Sequence, residues 1–161
     1  MSDSLFPEIL ASLESFAATA PTAEALERFT VEILAAHLPN YNWVGFYMLA
    51  ADDAQMLELG PYVGAPTSHT RIPVSEGICG AAVAQEQTII VDDVRSDPRY
   101  LACSIETQSE IVAPVRVAGR IVGEIDIDSH QKAAFGPADR AFVERCAEIV
   151  GAYLEGSTEV Y

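Results

Sequence analysis

"EIVAPVRVAGRIVGEIDIDS", residues 110–129, reads as two apolar arms joined at Ala118–Gly119, a hairpin signal. Side chains alternate along a strand, so Ile125 and Ile127 point to one face of the second arm, and Asp126 and Asp128 to the other. Pro114 has no N–H to give a ladder and marks an edge or a bulge in the first arm. Glu110 opens that arm and is within reach of the aspartate face. With the isoleucines against a core, Asp126 and Asp128 face a cleft or water. Carboxylates held this close cannot all ionise easily, so at least one should have a raised pKa. Such a group donates a proton near neutral pH, and its ionised neighbours bind an ammonium. A solvated strand edge fits the same pattern.

Working outward, "NWVGFYML" reads as a strand in which Trp43, Gly45 and Tyr47 alternate with Val44, Phe46 and Met48. "MLELGPYVG" is its partner, and "TRIPV" a short extended piece. "SEGICGAAVAQEQ" enters a short helix of small residues, and "TIIV" returns as a strand. Two helices come first. One carries Leu5, Ile9, Leu13 and Phe16 on a face; the other runs from Ala23 to His37 behind an N-cap at Thr22 and stops at Pro39–Asn40. Pro137 starts a last helix striped by Phe142, Cys146, Ile149 and Tyr153. Hairpins mixed with helices predict an α+β domain, a mostly antiparallel central sheet with helices packed on it.

The chain has 161 residues, half of them hydrophobic, which fits one domain with a sizeable core. The 24 acids outnumber the 9 Lys and Arg, for a net charge of −15. That surface repels phosphate backbones and anionic lipid, so neither nucleic acid nor membrane is an expected partner. "MSDSLFPEIL" carries no basic residue and no signal-peptide pattern, so a cytoplasmic location is expected. Its three cysteines are too few for a secreted disulfide framework, and with His37, His69 and His130 scattered no metal motif can be read.

Cys146 shares the apolar face of the last helix and reads as a core thiol. Cys79 sits between Gly77 and Gly80 near a helix N-terminus, where unpaired N–H groups favour a thiolate; a small residue packed under a tight turn is the other reading. Cys103 lies in "DDVRSDPRYLACSIETQ", a long polar loop of the kind that often carries function. Cys79 and Cys103 together suggest a redox pair joined through space.

The stretches "NWVGFY", "LGPYVG", "RIPVSEGICG", "VDDVRSDPRYLAC", "SEIVAPV" and "VGEIDIDS" resemble, in order and spacing, the free methionine-(R)-sulfoxide reductases, stand-alone GAF-domain proteins. The resemblance covers residues 40–155 and includes the lead-in helices at 1–38. It implies a single GAF domain (PAS-like) over 1–161, dimerising through its N- and C-terminal helices. It implies reduction of the R epimer of free methionine sulfoxide, with thioredoxin as external reductant and no bound cofactor. By the same resemblance Cys103 matches the attacking thiol, and Cys79 the partner with which its sulfenic acid forms a disulfide. Glu110, Asp126 and Asp128 match acids that hold the substrate's amino group and sulfoxide oxygen. Trp43 and Tyr47 match aromatics lining the pocket for the S-methyl end.

The chain also departs from that pattern. His69 stands where the family commonly has a further cysteine, and Tyr100 and Ser104 replace a histidine and an aspartate beside the attacking thiol. Three readings therefore stand: a reductase using Cys103 and Cys79, a slower enzyme or one acting on a related small molecule, and a non-catalytic GAF module that binds a small ligand or senses redox state.

Overall fold

In chain order, a 3-10 turn at Ser2–Leu5 leads into α1 (Phe6–Ala17) and α2 (Ala23–His37). Strands β1 (Trp43–Ala50), β2 (Asp53–Val63) and β3 (Arg71–Pro73) follow, then α3 (Gly77–Gln85) and β4 (Ile89–Val91). A 3-10 turn at Val94–Ser96 precedes β5 (Ser109–Val117), β6 (Arg120–Ser129) and α4 (Pro137–Glu155). The computed structural model describes residues 2–101 and 104–157. This is the α+β order expected from the sequence.

Local chemistry sets the boundaries. The Thr22 hydroxyl accepts from the Ala25 N–H at 3.1 Å, as an N-cap should. Pro137 opens α4, and the Asp139 carboxylate reaches back to the Gly136 N–H at 3.0 Å. At the β5–β6 turn, Ala118 and Gly119 both have positive φ (50° and 81°), the twist that lets a two-residue connection join right-twisted strands.

The six strands form one antiparallel sheet in the order β3-β2-β1-β6-β5-β4. Strand β4 pairs with β5 only from Glu110 to Val112, so Pro114 lies beyond β4 on a free stretch of edge, just before a register shift at Val115–Arg116. A proline is tolerated there because no ladder bond is demanded on that side.

The sheet has two unlike faces. One carries Val44, Phe46, Ile111, Ala113, Val115, Ile125 and Ile127 and is covered by α2 and α4, with α1 packed on those two helices; Leu13, Leu26, Leu34, Phe142 and Cys146 of the three complete an apolar core. The other carries Trp43, Tyr47, Leu57 and Val112 and is covered by α3 through Ile78, Cys79 and Ala82. Gly80 lets α3 sit this low: a Cβ there would lie 2.8 Å from the Val74 carbonyl oxygen.

Candidate active site

Sheet register assembles the site. Trp43, Gly45 and Tyr47 on β1 stand opposite Asp128, Asp126 and Glu124 on β6. On the other side of β6, Glu110 of β5 pairs with Asp128, and Val112 with Asp126. Opposed residues on one face sit about 4.5–5.5 Å apart at Cβ, so four carboxylates from two strands converge on one patch. The expected grouping of Glu110, Asp126 and Asp128 is therefore present, with Trp43 and Tyr47 as its neighbours.

The acids are not on a wet cleft wall. Glu110, Asp126 and Asp128 are 5%, 4% and 4% exposed and Glu124 is 0% exposed. Two of them, Glu110 and Asp126, line a cavity of about 20 Å³ together with Tyr47, Ile78, Cys79 and Leu101. That is space for roughly one water. Burial, the leading cause, raises the pKa of Glu124, Asp126 and Asp128, and the Asp126 charge pushes Glu124 and Asp128 further. Hydrogen bonding to Glu110 pulls Asp126 and Asp128 partly back, so these three acids form one network. Among the described residues no Lys, Arg or His is buried, and Asp126 Oδ1, Asp128 Oδ1 and both Glu124 carboxyl oxygens have no geometric hydrogen-bond partner. The patch is an unneutralised acid cluster, a natural seat for a cation.

Cys79 lies in the first turn of α3, buried, with Sγ 3.5 Å from Asp126 Oδ2. The helix-terminus argument for a ready thiolate is overturned here. Burial raises its pKa most, followed by the charges of Asp126, Glu124 and Glu110. A helix end favours an anion by about 0.3–1 kcal/mol. A full negative charge at about 4 Å opposes it by about 4 kcal/mol even at an effective dielectric of about 20. Cys79 is a protonated thiol donating toward Asp126.

The aromatic wall is larger than the sequence reading made it. Trp43 stacks on Tyr62 with ring centroids 5.4 Å apart and lies 6.3 Å from Tyr47. Gly45 makes room for the Trp43 ring, which a Cβ would approach to 2.4 Å. Trp43 Nε1 donates to the Ala65 carbonyl at 3.0 Å and Tyr47 Oη to the His69 carbonyl at 2.7 Å, pinning the 64–70 segment beside the site. His69 itself is half-buried and reaches the site through its backbone. The Ser104 hydroxyl accepts from the Glu106 N–H at 3.1 Å in a local turn. Tyr100 packs with the α3-side core.

Cys103, the expected attacking thiol, lies outside the described residues. Cys146 is fully buried in the opposite core, as its helical stripe predicts, and burial raises its pKa. Sequence reasoning missed Glu124 and Tyr62. Glu124 was visible in principle, since it precedes Asp126 by two positions and shares its face. Tyr62 needed the β1–β2 pairing, which sets it against Gly45.

A model of the GAF domain matches residues 22–154. The free methionine-R-sulfoxide reductase of Escherichia coli is 40% identical over 124 residues, covering 77% of this chain and 68% of its own. Protein YtsP of Bacillus subtilis is 43% identical over 111 residues, 69% of this chain and 67% of that protein. The crystal structure of the free methionine-R-sulfoxide reductase from Neisseria meningitidis, in complex with its substrate, superposes with a TM-score of 0.91 at 34% identity, covering 98% of this chain and 92% of that one. This chain therefore belongs to the GAF domain family, among the free methionine-R-sulfoxide reductases.

Proposed function

We propose that this chain reduces free L-methionine (R)-S-oxide to methionine by thiol chemistry, with Cys103 as the attacking sulfur and Cys79 as its resolving partner. The observation that carries the reading is the buried carboxylate network beside a thiol and an aromatic wall, with no buried base among the described residues to neutralise it. A free amino acid brings what such a site lacks. Its ammonium would answer the Glu110, Asp126 and Asp128 carboxylates and its S-methyl end would lie along Trp43, Tyr47 and Tyr62, in a cavity that must widen beyond its one-water volume to admit it.

The raised acids supply protons. A thiolate at Cys103 attacks the sulfoxide sulfur while a protonated carboxyl gives its proton to the sulfoxide oxygen. Methionine leaves with its sulfur reduced, and Cys103 is oxidised to a sulfenic acid. The Cys79 thiol then attacks that sulfur. Asp126, which already accepts from Sγ, takes the thiol proton and passes it to the departing hydroxide, which leaves as water with a Cys79–Cys103 disulfide behind. A thioredoxin dithiol reduces the disulfide and becomes oxidised in turn. The high pKa of Cys79 fits a resolving role, because it stays unreactive until a sulfenic acid forms next to it.

The same reading places the chain in the cytoplasm as a dimer formed through its terminal helices. In its support, Phe16 of α1 and Phe29 of α2, both only half-buried, stack at 4.4 Å and leave apolar surface open beside the core. None of the described helices is long and apolar enough to cross a membrane.

The test is turnover with each methionine sulfoxide epimer, thioredoxin, its reductase and NADPH. Consumption with the R epimer alone, lost in Cys103→Ser, is expected, with a Cys79–Cys103 linkage by mass spectrometry after one oxidising turnover. Ligand-induced thermal stabilisation without turnover would instead make the chain a binding module.

A further inference from the structure

Cys79 Sγ and one carboxylate oxygen from each of Glu110 and Asp126 all lie within 4.8 Å of one another, and all three residues are buried. The Sγ to Asp126 Oδ2 separation is 3.5 Å. Around a tetrahedral ion with metal–sulfur bonds of about 2.3 Å and metal–oxygen bonds of about 2.0–2.2 Å, the sulfur–oxygen edge is about 3.5 Å. The pair is thus already spaced as two ligands of one ion. Independently, Asp126 Oδ1 is buried without a hydrogen-bond partner, and Asp126 lines the same cavity as Cys79 and Glu110.

We propose that Cys79, Glu110 and Asp126 form a site for a thiophilic divalent cation of the zinc class, which occupies the seat of the substrate ammonium and inhibits the enzyme. Binding replaces the Cys79 S–H bond with a metal–sulfur bond and releases that proton to solvent; no electron is transferred. One thiolate and two carboxylates leave a fourth position open and select zinc or cadmium over magnesium or calcium, which take all-oxygen shells. No metal motif shows in the sequence because the donors come from α3, β5 and β6 and meet only in the folded sheet. The inhibitory half of the proposal rests on the reductase reading; the site itself does not.

The experiment titrates the reduced full-length chain with Cd2+ and follows the ultraviolet cadmium–thiolate charge-transfer band, then displaces Cd2+ with Zn2+. One ion per chain is expected, with the band abolished in Cys79→Ser and retained in Cys103→Ser and Cys146→Ala. Asp126→Asn and Glu110→Gln keep the thiol and relieve carboxylate crowding, so they remain informative if Cys79→Ser fails to fold; each should weaken Cd2+ binding about tenfold or more. No band, or a band that survives Cys79→Ser, overturns the site. Free methionine (R)-sulfoxide should raise the apparent dissociation constant for Cd2+ in proportion to its concentration. Cd2+ binding that ignores the sulfoxide overturns the inhibition. Absence of turnover in a chelated assay breaks the reductase reading and leaves the metal site standing.

Discussion

Strand β6 is shared by two regions that solve burial in opposite ways. Ile125 and Ile127 are fully buried under the helical layer of α2 and α4, while Glu124, Asp126 and Asp128, interleaved with them, are almost as buried on the α3 side. The first face gains from every methylene it removes from water. The second forces carboxylates out of water with no buried base among the described residues; burial raises the pKa of Glu124, Asp126 and Asp128, and hydrogen bonds to Glu110 pull Asp126 and Asp128 partly back. Burying an unpaired charge is costly, so the acid face is stability given up for a function. The aliphatic face supplies the stability that lets the other exist.

The largest effect should break the comparison at its functional end. Asp126→Asn is expected to lower kcat/KM for methionine (R)-sulfoxide by about 10²–10⁴-fold, the usual size of a general acid–base contribution. The same variant should melt higher at pH 8, since it removes a carboxylate that must be kept protonated or crowded. Unchanged turnover in the thioredoxin-coupled assay would leave the acid face as mere structure.

On the opposite face of the same strand, Ile125→Ala should cost about 2–5 kcal/mol by urea denaturation, the range for a truncated core side chain. Adjacent positions on β6 would then respond with opposite signs, one losing stability and the other gaining it. A small loss at Ile125 would show that the helical layer closes over the cavity.

Much of this division was legible in the sequence. The "EIDID" alternation assigns the isoleucines to one face and the aspartates to the other, and the helical stripe through Cys146 puts that thiol in the core. Periodicity, however, records which residues share a face and not how wet that face is. The aspartates were expected on a cleft or in water because a polar face is usually solvated; α3, packed down through Gly80, seals it instead. The same contact reverses the expectation for Cys79. A helix end is a local feature readable from "GICG", whereas the three carboxylates that outweigh it arrive from residues 110, 124 and 126.

Sealing has a pH signature of definite sign. Glu124, Asp126 and Asp128 have folded-state pKa values above those of the unfolded chain. The folded protein therefore keeps protons that the unfolded chain loses near pH about 4. The stability they contribute is complete below that pH and is lost as pH rises toward the folded values, with a slope of up to about 1.4 kcal/mol per pH unit for each group. Substrate-free protein should accordingly lose thermal stability from pH 5 to pH 8. Glu124→Gln and Asp128→Asn should each flatten that slope, and Ile125→Ala should shift the curve down without changing it. A slope identical in all three variants would mean the acids titrate alike in the folded and unfolded states.

The smallest test compares two tyrosine hydroxyls, one for each face. Tyr47 Oη donates to the His69 carbonyl at 2.7 Å beside the acid cavity, and Tyr41 Oη donates to Asp139 at 2.7 Å at the margin of the aliphatic core. Removing the Tyr47 hydroxyl forfeits a bond to a neutral carbonyl, about 0.5–1.5 kcal/mol by chemical denaturation, and removing that of Tyr41 forfeits a bond to a carboxylate, about 1.5–3 kcal/mol. Tyr41→Phe should therefore cost at least as much stability as Tyr47→Phe. Their kinetics should run the other way. The Tyr47 bond ties the 64–70 segment to the cavity wall, so its loss should raise KM for the sulfoxide a few-fold, roughly in step with the lost bond. Tyr41 ties β1's lead-in to α4 on the far side of the sheet and should leave KM unchanged. Equal KM values in the two variants would mean that the segment carrying His69 does not shape the pocket.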